Sequence, residues 1–385
     1  MLLAQRMIAS LDSFPLLAIP LFIMMGEILN QGGCAEKLVT FSERLVGGVT
    51  GGLAHANILT SMFFGGISGV ATADTAAIGS IMIPMMKRAG YDVKFSTVVT
   101  ITSSIIGVII PPSINMILYS WISGTSVVQL FAGGIIPGIL VGLGLMGVSH
   151  WISLKKGYRN IERFSFRKCS KAFIAAIPVL IMPLLILGGI FGGAFTTTEA
   201  ASIAVIYGIF ISIFFYKGLK FKEIPNMFFK VASMVGNIML LIAICKTFGW
   251  IITAELIPQT ISEFFLTYLP YRSLFFLNVI IISLIIGTFL TPSIATVILT
   301  PILYPVAISL GVDPVHFGII LICALSVGHV TPPVGLTLFI GSEISGVPVS
   351  QLLKPLIPFL SVLIALVLLV AYVPWLTLFV PSLLK

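Results

Sequence analysis

Two proline pairs inside apolar segments are the residues of this chain whose type and spacing point most directly to chemistry. Pro111-Pro112 and Pro332-Pro333 each follow a glycine and interrupt a run of aliphatic residues. Proline lacks a backbone N–H and clashes with the preceding turn, so a helix does not continue through either pair. A helix that breaks inside a membrane leaves main-chain groups free for an ion or a solute. The pattern therefore predicts binding by backbone atoms.

Both breaks belong to a longer repeat. Glycines, prolines and one acid recur with the same spacing: Pro84, Gly90, Asp92, Gly107, Pro111 and Pro112 reappear 221 residues later as Pro305, Gly311, Asp313, Gly328, Pro332 and Pro333. Upstream, Gly66 and Thr75 match Gly287 and Thr296 at the same offset. Duplicated breaks in corresponding halves of a chain indicate the central binding site of a membrane transporter.

A cation site is predicted in each copy. Hard cations bind oxygen, and carbonyls freed at a break supply it together with nearby hydroxyls and the tip of a neighbouring hairpin. The candidate ligands are Gly65, Gly66, Ser68, Ser103, Gly107, Ile110 and Pro112 in the first copy and Gly287, Thr291, Gly328, Thr331 and Pro333 in the second. The alternative is that glycine and proline only kink packed helices, which two symmetric breaks make a weaker explanation.

Helix N-termini at the hairpin tips would hold an anionic solute, because their free amides and dipole favour negative charge. The hydroxyl and amide groups that could bind it are Ser68, Thr72, Ser113, Asn115, Thr291 and Ser293. No arginine lies near the tips in the sequence. We therefore expect weak recognition of charge here and selection of the solute on another protein.

The composition places the chain in a lipid bilayer. It is 58% hydrophobic and 9% charged, with a mean hydropathy of +1.15, which a soluble domain does not reach. The net charge of +8 comes from short connections between apolar stretches and not from a basic face with aromatic residues, so no nucleic-acid partner is predicted. Motifs typical of hydrolases and phosphate loops are absent from the sequence, and no enzyme is predicted.

Loop charges indicate that the repeat is inverted. Residues 155–171 hold seven basic residues against one acid, which predicts a cytoplasmic loop. Counting spans places the basic residues near 87–94 on the same side, whereas the matching loop at 308–316 lands outside and has lost its positive charge. The sequence thus predicts an all-α polytopic membrane protein with inverted repeats, two re-entrant hairpins at 51–86 and 274–308, and two broken spanning helices.

Five segments follow from this pattern. Residues 1–47 form a scaffold helix and an amphipathic connector, 48–127 the first repeat core, 128–272 scaffold and connecting helices, 273–350 the second repeat core, and 351–385 a C-terminal spanning helix.

Several single residues have competing interpretations. Asp74 is predicted to be a helix N-cap more readily than a functional acid, and Glu199 with Thr196 a capping box. His329 is interpreted either as a proton relay or, more readily, as a helix-end histidine with a backbone partner. A ligand role is open for Glu27. Widely spaced cysteines predict neither a metal site nor a disulfide framework.

Several stretches resemble the large membrane (DctM-type) subunit of TRAP transporters, the tripartite ATP-independent periplasmic family. They are LDSFPLLAIPLFIMMGEIL, GGISGVATADTAAIGSIMIPMMKRAGYD, GVIIPPS, TTTEAAS, LTPILYPVAISLGVDPVHFG and GHVTPPVG. The resemblance implies an elevator-type transporter of the bacterial inner membrane, with the two repeat cores as the moving transport domain and Na+ as the coupling ion. It implies as partners a small membrane subunit and a periplasmic substrate-binding protein that delivers an organic acid such as a dicarboxylate, sialic acid or another sugar acid.

Two other functions stay open at this point. A stand-alone sodium/anion symporter would share the repeats but work without a small membrane subunit. A non-transporting membrane assembly protein would use the breaks only as packing kinks, and replacing Gly107 or Gly328 by leucine would then impair folding alone.

Overall fold

The computed structural model describes residues 2–158, 165–257, 259–261, 263 and 271–384, and these residues contain helices and no strand. Within them, nine helices are long and apolar enough to cross a membrane. The predicted all-α polytopic class is confirmed.

The first repeat consists of a helical hairpin followed by a broken helix. Its elements are α4 (Gly52–Ser68), α5 (Ala71–Arg88), α6 (Val93–Ser104), α7 (Ile106–Ile109) and α8 (Ile114–Ser123). Gly69 turns the chain between the hairpin arms with φ +65°, a left-handed conformation that favours glycine. Asp92 begins α6 by accepting a hydrogen bond from the Lys94 amide. The interruption between α7 and α8 falls on the predicted proline pair.

The second repeat has the same order of elements. It comprises α13 (Arg272–Phe289), α14 (Pro292–Ser309), α15 (Pro314–Gly328) and α16 (Leu336–Ser345). Thr291 begins α14 with Pro292 in its first turn, where a missing amide costs no hydrogen bond. Asp313, the counterpart of Asp92, caps α15 in the same way. The break again follows the glycine and contains the proline pair.

The remaining helices surround the repeats. They are α1 (Leu2–Leu11), α2 (Ala18–Gln31), α3 (Cys34–Val46), α9 (Val127–Lys156), α10 (Phe166–Phe191), α11 (Thr197–Phe210), α12 (Ile224–Ala254), α17 (Val349–Tyr372) and α18 (Trp375–Ser382). Helix α12 packs against α1 and α2 on one side and against α14 of the second repeat on the other. It is therefore the surrounding helix placed to close a site on the repeats.

The broken helices form the centre of the molecule. Nearly every residue of α6 and α15 is buried, including Phe95 and Phe317. Tyr119 of α8 donates a hydrogen bond of 2.7 Å to the carbonyl of Pro314 and packs against Gly318, so the two repeats interlock. A fully buried seam of this kind fixes the breaks relative to each other.

Candidate functional site

Both hairpin tips and both breaks line one central cavity of about 300 Å³. Residues 69–72 and 291–294 come from the tips, Val108 and Asn115 from the two sides of the first break, and His329 from the second. Helix α12 closes the opposite wall with a stripe from Met234 to Cys245. Both tips and both breaks therefore converge on one cavity.

Four of the six predicted solute-binding residues line this cavity, namely Thr72, Asn115, Thr291 and Ser293. Ser293 donates a hydrogen bond of 2.7 Å to the side-chain oxygen of Asn115, which joins the second hairpin to the first broken helix. No described lining side chain is an acid, a lysine or an arginine. The cavity can therefore offer an anion hydroxyls, amides and helix ends, but no full counter-charge.

The other two predicted solute-binding residues bond elsewhere. Ser113 donates to the carbonyl of Val108 across the break at 2.6 Å, and Ser68 hydrogen-bonds the carboxylate of Asp74. Neither lines the cavity among its described residues. Ser113 thus stabilises the break, and Ser68 belongs with the first candidate cation site.

At the first break, a glycine of the hairpin packs directly on a glycine of the broken helix. A Cβ built on Gly65 would lie 2.7 Å from the Cα of Gly107, a distance that real Cβ atoms do not adopt. A Cβ on Gly107 would collide with the free carboxylate oxygen of Asp74. Backbone oxygen, the Ser68 hydroxyl and a carboxylate therefore meet within one small region.

Asp74 is not the helix N-cap predicted from sequence. Val70 occupies that position without a side-chain cap, and Asp74 lies one turn inside α5, where its own amide bonds the Val70 carbonyl. Its side chain is fully buried, with Oδ1 bonded to Ser68 and Oδ2 lacking a partner among the described residues. Ser68 lies across the hairpin tip from Asp74, and the hydrogen bond between them holds the Asp74 carboxylate beside the break.

The second break has the same glycine packing but no buried carboxylate beside it among the described residues. Cβ atoms on Gly287 or Gly328 would lie 3.0 or 2.9 Å from the Cα of the other glycine. The Gly335 amide donates to the carbonyl of Thr288 at 3.0 Å, so the hairpin also holds the far side of the break. In place of a carboxylate, this hairpin buries the hydroxyls of Ser283 and Thr296 without a partner among the described residues.

The other candidate cation ligands lie around these two contacts. Ser103 is fully buried and accepts from Ser61 at 2.8 Å, and Gly66 faces Pro183 and the carbonyl of Pro111. Ile110 is partly buried after α7, and the Pro112 carbonyl packs on Gly69. Thr331 donates within its own chain segment to Val327, and Pro333 is exposed.

Several residues outside the repeats behave as structural partners. Glu199 and Thr196 form the predicted capping box, with the Thr196 amide 2.8 Å from the carboxylate. Glu27 of α2 forms an ion pair of 2.6 Å with Lys230 of α12. It therefore joins two surrounding helices and lies outside the described lining of the cavity.

Sequence reasoning missed the contribution of α12. Asn237 and Cys245 line the cavity from this helix, and Asn237 is a lone amide in a long apolar run. A single amide in an apolar helix was the sequence feature that could have indicated this contribution to the cavity. His329 ends α15 and contacts the backbone of Leu290, in line with the helix-end interpretation, yet it also faces the cavity.

A family model described as "Tripartite ATP-independent periplasmic transporter, DctM component" matches residues 1–376. This chain belongs to the DctM family. It is accordingly a membrane-embedded transporter component of the bacterial inner membrane and not an enzyme. The TRAP resemblance noted in the sequence is thereby confirmed over almost the whole chain.

Curated relatives agree with the DctM assignment, and a solved structure has a similar fold. The C4-dicarboxylate TRAP transporter large permease DctM of Pseudomonas aeruginosa is 37% identical, covering 99% of this chain and 89% of that protein. The isethionate TRAP transporter permease DctMQ of Oleidesulfovibrio alaskensis is 39% identical over 98% of this chain but only 59% of its own length. The YdaH transporter of Alcanivorax borkumensis has a similar fold, with TM-score 0.70, 13% identity and coverage of 97% of this chain and 87% of that one.

Proposed function

We propose that this chain is the large permease of a sodium-coupled TRAP system that carries an organic acid into the cell by an elevator-type movement. The observation that carries the proposal is the single cavity bounded by both hairpin tips and both breaks. Discontinuous helices at such a cavity present amide-rich helix ends to an anion and free carbonyls to a cation. Elevator movement would displace the two repeats against α12 and its neighbours.

Sodium is proposed at both breaks. The unpartnered Oδ2 of Asp74 beside Gly107 supports a cation in the first repeat, since a buried carboxylate is costly unless a positive charge or a proton compensates it. Ser68, Ser103 and the carbonyls near the break would complete the ligand set. In the second repeat, Thr331 and the carbonyls near Gly287 and Gly328 would hold the ion. The bound cations would also place positive charge beside the solute.

The proposed solute is an organic acid of the dicarboxylate, sialic acid or sugar-acid type. Thr72, Asn115, Thr291 and Ser293 would bond its carboxylate and hydroxyl oxygens. A cavity of about 300 Å³ leaves room for a small organic acid. The described lining of the cavity has no arginine that could bind a carboxylate through two hydrogen bonds in a fixed geometry. This favours selection of the solute by a separate protein.

We propose two protein partners, a small membrane subunit and a periplasmic substrate-binding protein. The Oleidesulfovibrio permease DctMQ extends well beyond the 59% of its length that this chain covers, which supports an additional membrane component. Exposed aromatic and aliphatic side chains such as Phe229, Leu184 and Phe248 give α10 and α12 apolar outer surfaces for lipid or for that subunit.

Reconstitution into proteoliposomes tests the proposal. The purified chain would be combined with its small subunit and with the binding protein loaded in turn with succinate, sialic acid and a sugar acid. We expect uptake only with an inward sodium gradient and only for acids that the binding protein holds. Uptake in potassium alone would refute sodium coupling. Sodium-driven uptake by this chain without either partner would favour a stand-alone sodium/anion symporter.

A further inference from the structure

A second cavity of about 480 Å³ lies beside the central one and is lined in part by the same helices. On α12, Cys245 lines the central cavity and the next residue, Lys246, lines the second. On α14, Val297 lines the central cavity and Thr300 the second. On α8, Leu118 lines the central cavity and Ile122 the second. Helix α1 forms the outer wall. The two cavities therefore lie next to each other between the repeats and the surrounding helices.

The second cavity is cationic where the first carries no full charge. Its only charged lining residues among those described are Arg6 and Lys246. The Arg6 guanidinium lies 4.3 Å from the ring centre of Trp250, and the Lys246 ammonium 4.8 Å from that of Trp121. Neither forms an ion pair within the described chain. Aromatic faces hold a cation in place without cancelling its charge, so both charges remain available to a ligand.

The position of these cations opposes the usual charge bias. Helix α12 follows Lys217, Lys220 and Lys222, which marks its first end as cytoplasmic. Its other end, which carries Lys246, therefore faces the periplasm. Basic residues are disfavoured at that end, and ionisable groups within an apolar span are costly and mark solute pathways.

We propose that Arg6 and Lys246 form an anion-binding vestibule on the periplasmic side, which holds the carboxylate of an incoming organic acid before it reaches the central cavity. The identity of the ligand rests on the proposed function, whereas the anion site rests on the cavity and its two cations. A cleft with low-dielectric walls and one sign of charge concentrates counter-ions. The vestibule supplies the charge recognition that the central cavity lacks. A lipid phosphate is the other anion with this chemistry.

Thiol modification measures the charge of the vestibule directly. Thr253 lines it and is exposed, so Thr253→Cys would be introduced with Cys245→Ser and reacted with anionic and cationic methanethiosulfonates. We expect the anionic reagent to be favoured, and Lys246→Met to lower the ratio of the two rates about tenfold, because one nearby charge acts oppositely on the two reagents. Arg6→Gln should lower it as well. Lys354→Met, which changes an exposed lysine on α17, serves as the matched control and should leave the ratio unchanged.

The ligand is tested by protection of the same thiol. Soluble succinate or sialic acid should slow modification equally in phosphatidylcholine vesicles with and without phosphatidylglycerol. Slowing only by phosphatidylglycerol would overturn the solute site in favour of a lipid site, and an unchanged rate ratio in both Lys246→Met and Arg6→Gln would overturn the anion site itself. The assay needs neither sodium nor uptake. A failed uptake experiment with an intact rate ratio would refute the proposed function and leave the anion site standing.

Discussion

The contact between Gly65 and Gly107 predicts that one methyl group disrupts the cation site that we propose at the first break. In Gly65→Ala the added Cβ would lie 2.7 Å from the Cα of Gly107, and a backbone atom cannot rotate away. The hairpin must then move off the broken helix, and overpacking of this kind costs about 1–3 kcal/mol. Gly107→Ala would drive its Cβ into the carboxylate of Asp74. Both variants should separate the oxygen atoms that we assign to the cation.

Thermal unfolding in detergent, in sodium chloride and in choline chloride, measures both effects. Sodium at about 100 times its Kd should stabilise the native protein by about 2.7 kcal/mol for each site that it occupies. We expect Gly65→Ala and Gly107→Ala to lower the unfolding temperature in choline and to lose the contribution of the first site to the stabilisation by sodium. The two losses together distinguish damage to the site from simple destabilisation.

Gly147→Ala is the matched control, since a Cβ at this position of α9 meets no atom within 4 Å. Replacing glycine by alanine within a helix gains up to about 1 kcal/mol where space is free. This variant should be as stable as the parent or more so, with an unchanged response to sodium. If Gly107→Ala behaved like Gly147→Ala, the assignment of a cation to the first break would be refuted.

Three further results are expected. Ser293→Ala removes the hydrogen bond to Asn115, so it should cost about 0.5–1.5 kcal/mol in unfolding and lower uptake in proteoliposomes. Thr100→Val leaves the buried Asn57 amide without its 2.6 Å partner, and denaturation should reveal a loss of about 1–3 kcal/mol. Partial burial raises the pKa of the Asp92 carboxyl, but the hydrogen bond and charge of Lys156 outweigh it and hold that pKa below its usual range. Its stabilising contribution is therefore present above the unfolded-state pKa and lost as the pH falls through the folded-state pKa. Asp92→Asn should unfold at a lower temperature than the parent near neutral pH and converge with it in acid.

The repeats and their breaks could be predicted from the sequence because proline and glycine affect the backbone at their own positions. Pro111-Pro112 ends a helix whatever surrounds it, and the same spacing at Pro332-Pro333 carries the inference to the second copy. The contacts between helices follow the 221-residue offset less closely than the prolines do. Gly66 aligns with Gly287 along the chain, yet Gly65 is the residue that packs on Gly107.

Features that depend on helix rotation could not be predicted. Helix α12 is apolar on all sides, so hydrophobic periodicity does not indicate which face carries Asn237 and Cys245 into the cavity. The position of Asp74 was mistaken because a short acid near a turn commonly caps a helix, while here the N-cap is Val70, four residues earlier. Lys246 could be noticed in an apolar run, but only the fold places it beside Arg6.

The hydrogen bond from Ser293 to Asn115 has a mechanical consequence. It ties the tip of one inverted half to the broken helix of the other, next to the interlocked Tyr119 and Gly318. A displacement that preserves this bond and the contact of Tyr119 moves both halves together. A solute and the cations proposed at the two breaks would then move together as well.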